Sequence, residues 1–279
     1  MAVLNTVNTA PVRPHNGGSY WESSARHLFL HTRVLTARLL VRLVRNPITI
    51  VHALILPIGF LVTLDVVLGD SITTATGEDA LYRSVPLVAL LAAISGSSAG
   101  MVGITAERLD GFLARMWVLP VHRAAGLSAR LLAEIIRLVA TTLVILGTGL
   151  ILGFRFHEGP VAAVAWLAAP VIFGVAFSAV VTMIALYWPK AVLVEAIQIV
   201  GMVGTFFCTG LVPVDKYPDW VQPLVRYQPM STAVDAMRGL SVGGPVLTPM
   251  LGTIAWSAGI FLVCLGPIMV GYRKASTSR

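Results

Sequence analysis

The chain has 279 residues, 56% of them hydrophobic and only 12% charged, with a mean hydropathy of +0.82. A soluble domain carries about 25% charged residues and cannot hide this much apolar surface, so soluble classes are excluded and a polytopic membrane protein remains. The net charge of +7 fits that class, because the basic residues flank apolar runs, where they orient the chain and meet anionic lipid rather than nucleic acid.

Residues 1–23 hold Pro11, Pro14, Gly17 and Gly18, show no periodicity and are expected to form a disordered tail without a cleavable signal. Over residues 24–45, Leu28, Leu35, Leu39 and Leu43 mark an apolar face and Arg38, Arg42 and Arg45 a basic one. That pattern predicts a helix lying in the headgroup plane, ended by Asn46 and Pro47. A bilayer core of about 30 Å takes roughly 20 apolar helical residues. Six segments meet that length: 48–68 (with a kink expected at Pro57), 84–104, 132–154, 161–188, 192–211 and 250–272. Residues 273–279 form a short tail. With the N-terminus inside, fifteen of the twenty Lys and Arg residues fall on the inner side, Arg137 counted among them, which places both termini and the 105–130 segment in the cytoplasm.

Thr105 to Arg130 is the most charged interior segment. Wound as a helix, Leu109, Phe112, Leu113, Met116 and Trp117 share one stripe, and Pro120 closes it. This is a docking surface, and lipid or protein could be the partner. In the second span Gly96 and Gly100 form a GxxxG pair among Ser95, Ser97, Ser98 and Gly103, suited to close packing within the subunit or between subunits. The outer segment 211–249 is apolar yet contains Pro213, Pro218, Pro223, Pro229 and Pro245. One short helix is expected after Pro218 and another capped by Ser231 or Thr232 and running to Gly239, either re-entrant or on the surface.

Asp65, Glu134, Arg137 and Glu195 lie in or near spans, and Glu134 and Arg137, at i and i+3, are placed to pair. No span carries several charges at its centre, which argues against an ion-coupled secondary transporter. Cys208 and Cys264 lack CxxC partners, so a metal site is not expected, and a disulfide between them has no support in their spacing. The sequence has no GxxxxGK[ST], HExxH or GxSxG, so neither ATP hydrolysis through a P-loop nor hydrolase chemistry is expected of this chain.

The order of elements resembles the membrane subunit of ABC-2 type ABC exporters. The residues that carry the resemblance are Glu107, Arg108, Gly111, Arg115 and Pro120 in the loop, then Phe207, Gly210, Pro213, Pro218, Trp220, Gln228, Pro229, Met230, Asp235 and Arg238. Gln228 departs from the Asn common before that proline. Within the family the chain is similar to daunorubicin-resistance permeases, above all to mycobacterial permeases that take part in exporting phthiocerol dimycocerosate lipids.

The resemblance implies an all-α polytopic membrane protein with six transmembrane helices, an N-terminal interfacial helix, a cytoplasmic coupling helix and short re-entrant helices before the last span. It implies two permeases, identical or siblings, in the plasma membrane with two separate ATPase subunits, which hold the ATP and Mg. This chain would bind no cofactor and export a hydrophobic lipid or drug. Glu107, Arg108, Leu109, Gly111, Phe112, Arg115, Met116, Pro120 and Arg123 would couple to the ATPase, with Glu107 at the start of the coupling helix. Ser97, Met101, Phe206 and Phe207 are candidates for the substrate path. A secondary transporter and a non-transporting membrane scaffold remain the other readings.

Overall fold

A computed structural model describes residues 25–109, 125–188 and 191–277. Among the described residues the secondary structure is entirely helical. Helix α1, Ala25–Val44, leaves Leu28, Leu35, Leu39 and Leu43 half-buried and Arg38 and Arg42 exposed, as its two faces require. Part of its apolar face is covered by protein, because Thr36 Oγ1 donates to the Ala129 carbonyl at 3.3 Å and Thr32 shares a 3.0 Å hydrogen bond with Ser128.

A helical run, α2, follows from Pro47–Ile50 through Leu56–Thr63 to Gly69–Thr76, interrupted by π-helical turns at Val51–Ile55 and Leu64–Leu68. The irregularity expected at Pro57 takes this form. The proline ring crowds the carbonyl four residues back, and the wider turn accommodates it, with the Leu56 N–H donating to Val51 five residues back. Gly77, at φ +73°, ends the run in the left-handed conformation that glycine adopts without penalty.

Helix α3, Leu81–Leu109, is the axis of the bundle. Val85, Leu87, Val88, Leu90 and Ala92 are all buried, so its first half is surrounded rather than one-sided. Helices α4 (Ala125–Leu152), α5 (Gly159–Tyr187) and α6 (Ala191–Phe206) follow. Trp166 of α5, with Phe154 and Phe156 of the α4–α5 connection, packs into the same core. Short helices α7 (Gln222–Tyr227) and α8 (Pro229–Val242) lead to α9, Leu247–Thr277. The segment expected as a tail from 273 is therefore helical as far as Thr277.

Among the described residues, four helices are long and apolar enough to cross a membrane: Val51–Thr74, Ala125–Leu152, Gly159–Tyr187 and Leu247–Gly271. Leu81–Ser97 and Ala196–Phe206 are shorter apolar stretches. Of the segment expected as the fifth span, 192–211, the structure is helical as far as Phe206, where α6 ends after 16 described residues. That is about 24 Å of helix, short of a bilayer core of about 30 Å. Side chains take its last carbonyls instead of a further turn: Cys208 Sγ donates to Thr205 and Tyr217 Oη to Phe206.

The 211–249 segment packs back onto the bundle. Helix α8 buries Met230, Ala233, Val234, Ala236 and Met237 against α3, α5 and α9. Neither Ser231 nor Thr232 caps it. Gln228, in an extended conformation, is the N-cap, Pro229 takes the first helical position, and the helix passes Gly239 to reach Val242. Cys208 and Cys264 are both free and buried.

Candidate functional site

The candidate residues are spread along the bundle. At one end α3 leads into residues 110–124 and α4 leads out of them. Ala106, Glu107, Arg108 and Leu109 are strong helix formers, and α3 runs through them unbroken. Glu107 thus lies inside a 29-residue helix rather than at the start of a new one, and the expected benefit of a carboxylate at a helix N-terminus does not apply. Gly111, Phe112, Arg115, Met116, Pro120 and Arg123 lie outside the described residues, and Met101 is described only as part of the α3 backbone.

The two helices that frame this segment are tied together by a buried ion pair. Arg137 of α4 grips Glu134 one turn earlier with both arms: Nε donates to Oε2 at 3.0 Å and Nη2 to Oε1 at 2.6 Å. The pair is almost fully buried, at 4% and 12% side-chain exposure. Across the interface, Arg137 Nη2 also donates to the Ala93 carbonyl of α3 at 3.4 Å. Ser97 Oγ lies 2.9 Å from the same carbonyl and 3.4 Å from Glu134 Oε1. Gly96 makes room for this, because a methyl group there would collide with the guanidinium. The small-residue run of α3 is thus used at Gly96 inside the subunit, to seat a charged side chain. Arg137, counted earlier with the inner loop, is a buried helix residue and orients nothing at the membrane surface.

Ser97 is therefore turned toward α4, away from any open surface, whereas Phe206 and Phe207 are half exposed at the other end of the bundle, at 49% and 50%. The structure does not bring the path candidates together. Their end of α6 is fixed by its backbone. Gln228 Nε2 donates to the Phe207 carbonyl at 2.5 Å and to Ser231 Oγ at 2.9 Å, and Tyr217 Oη donates to Phe206 at 3.2 Å.

A second charged knot closes the Phe206 end. Arg238 of α8 forks onto Glu78, at 2.8 Å and 2.5 Å, and Arg83 of α3 lies 3.8 Å from the same carboxylate. Arg83 Nη1 also donates to the Thr209 carbonyl at 2.9 Å. The hydrogen bond from Arg238 holds the Glu78 carboxyl below the usual range, against the opposing effect of partial burial. Sequence reasoning missed this knot. Glu78 and Arg238 are 160 residues apart, and the only trace was the Asp235-x-x-Arg238 spacing.

The structure thus holds two charged joints, one tying α3 to α4 near the middle of α3 at Ala93 and one near the start of α3 at Arg83. The family model described as ABC-2 type transporter matches residues 31–241. A protein of Mycobacterium tuberculosis named "Probable doxorubicin resistance ABC transporter permease protein DrrC" is 50% identical over 256 residues, covering 92% of this chain and 93% of that protein. The "Daunorubicin resistance ABC transporter permease protein DrrB1" of Streptomyces coeruleorubidus is 23% identical over 272 residues, 97% of this chain and 93% of that protein.

Proposed function

The chain belongs to the ABC-2 type transporter family, and from that premise we propose that it is the permease subunit of an ATP-driven exporter of a hydrophobic drug or lipid. The observation that carries the proposal is the 50% identity, across nine-tenths of the chain, to a permease named for doxorubicin resistance. An anthracycline-type drug is therefore the first substrate to test, and a long-chain lipid the second.

The sequence contains no P-loop, so the energy enters from another chain. Two ATPase subunits, each holding ATP and Mg, close on one another beneath a pair of permeases, this chain and a copy or sibling, in the plasma membrane with both termini cytoplasmic. Residues 108–118 receive that movement. Leu109, Phe112 and Met116 bury against the ATPase, and Arg108 and Arg115 supply charge-assisted hydrogen bonds. Glu107, Gly111, Pro120 and Arg123 border the contact. The lock formed by Arg137, Glu134 and the Ala93 carbonyl makes α3 and α4 move as one lever.

Purification of the tagged chain with its ATPase tests the docking. Phe112→Asp combined with Met116→Asp is expected to reduce recovered ATPase at least about tenfold, the effect of placing charge in a buried contact. Undiminished recovery would show that these residues do not dock the ATPase.

A further inference from the structure

Three exposed aromatic residues, at the ends of α6 and α7, each have their backbone held by a side chain distant in sequence. Phe206 and Phe207 are half exposed and Tyr227 is 67% exposed. Tyr217 Oη donates to the Phe206 carbonyl at 3.2 Å, Gln228 Nε2 to the Phe207 carbonyl at 2.5 Å, and Trp256 Nε1 to the Tyr227 carbonyl at 2.9 Å. Gln228 directly follows Tyr227, so its bond to Phe207 also brings the ends of α6 and α7 together.

Holding a carbonyl fixes the local backbone, and with it the direction in which the side chain leaves. This matters most at Phe207, which lies one residue past α6, where no helical turn sets that direction. Rings inside the core are fixed by packing instead, as where Phe154 and Phe156 meet Trp166. A ring that only faces lipid has no use for a fixed direction, because acyl chains rearrange around it. A ring that receives a ligand does, because a loose contact residue must be ordered at the expense of affinity.

Resting on the exporter reading, we propose that Phe206, Phe207 and Tyr227 form an aromatic platform for the planar ring system of the exported molecule, with Gln228 as the positioning residue that aims Phe207. Aromatic faces favour a flat conjugated ligand, through offset stacking and edge-to-face contacts at centroid distances of about 4.5–7 Å. A flexible hydrocarbon chain gains little from ring orientation, so the platform selects a flat polycyclic drug over a long-chain lipid.

Doxorubicin is the probe that tests it, in two measurements. One is saturable binding to the purified full chain in lipid nanodiscs, against empty nanodiscs. The other is ATP-dependent uptake into inside-out vesicles that contain the chain and its ATPase. Phe207→Leu keeps an apolar side chain but removes the ring face, and should weaken binding about fivefold. Tyr227→Leu should do the same at a second ring, and stands in for Phe207→Leu if that variant does not purify. Gln228→Asn keeps a side chain suited to capping α8 but is one methylene too short to hold Phe207 as well. It should melt near the wild-type temperature, because the cap offsets the lost bond. Its half-saturating doxorubicin concentration for uptake should rise about threefold, the cost of ordering a loosened contact, while the maximal rate holds. No saturable binding by the wild type, or binding that neither leucine variant weakens, overturns the platform. A fall in the maximal rate of Gln228→Asn with no change in half-saturation overturns the positioning role. Ring-dependent binding without ATP-dependent uptake would overturn the exporter reading and leave the platform standing. ATP-dependent uptake indifferent to all three variants would overturn the platform and leave the exporter reading standing.

Discussion

Glu134 and Arg137 carry opposite charges into a region where a single charge is costly. Each is tolerable because the other is present, so removing one costs more than removing both. Glu134→Gln is expected to destabilise the protein by about 3 kcal/mol, and Glu134→Gln with Arg137→Met to recover most of that loss. Thermal unfolding of the two variants in detergent checks the order; equal destabilisation would mean that the pair is not a joint. At the other end, Glu78 titrates from below its ordinary range because Arg238 binds its charged form. A carboxyl lowered in this way stabilises the fold above its unfolded pKa, and the benefit is lost as pH falls through its folded value. The wild-type melting midpoint should therefore drop on acidification below about pH 4, and Glu78→Gln should lower the neutral midpoint and flatten that acid limb. The Glu134–Arg137 contact was legible because a helix brings i and i+3 together. The Glu78–Arg238 contact was not, because only the packing of α8 against the rest of the bundle brings them together.

Apolar length alone located the long helices, since a hydrophobic run long enough to span has few other uses. What it could not locate was where polar side chains end a helix early. The apolar sequence continues to Leu211, but α6 ends at Phe206, where Cys208, Tyr217 and Gln228 supply the hydrogen bonds that another turn would have made. Gln228 is the side chain that connects this end to α8, through Phe207 and Ser231. Gln228→Ala should cost about 1–2 kcal/mol, the worth of two hydrogen bonds, one exposed and one partly buried. Hydrogen exchange should rise at residues 205–209 and in the first turn of α8 together. A rise confined to α8 would show that the amide does not link them. The cap of α8 was misplaced for a related reason: Ser231 has the right chemistry, but it is buried and engaged by Gln228 and by the Thr209 N–H.

Across the whole molecule, the two charged joints lie at two levels of α3, one at Arg83 near its start and one at Ala93 near its middle. The first ties α3 to α8 through Glu78 and the second ties α3 to α4, so under the proposed function a movement received at residues 108–118 passes into two helices already joined to one another. The stripe of Leu109, Phe112 and Met116 is an expectation of the sequence, since an amphipathic pattern between apolar runs needs a partner, and Phe112 and Met116 lie outside the described residues. The contact between α3 and α4 was not legible, because it depends on Gly96 of α3 facing Arg137 of α4, which no spacing reveals. The most direct test is ATP-dependent doxorubicin accumulation in inside-out membrane vesicles that contain this chain and its ATPase. Uptake should require ATP, and Phe112→Asp with Met116→Asp should reduce it to the level without ATP. Uptake driven by an ion gradient without ATP, or uptake unchanged by those substitutions, would contradict a permease worked through residues 108–118.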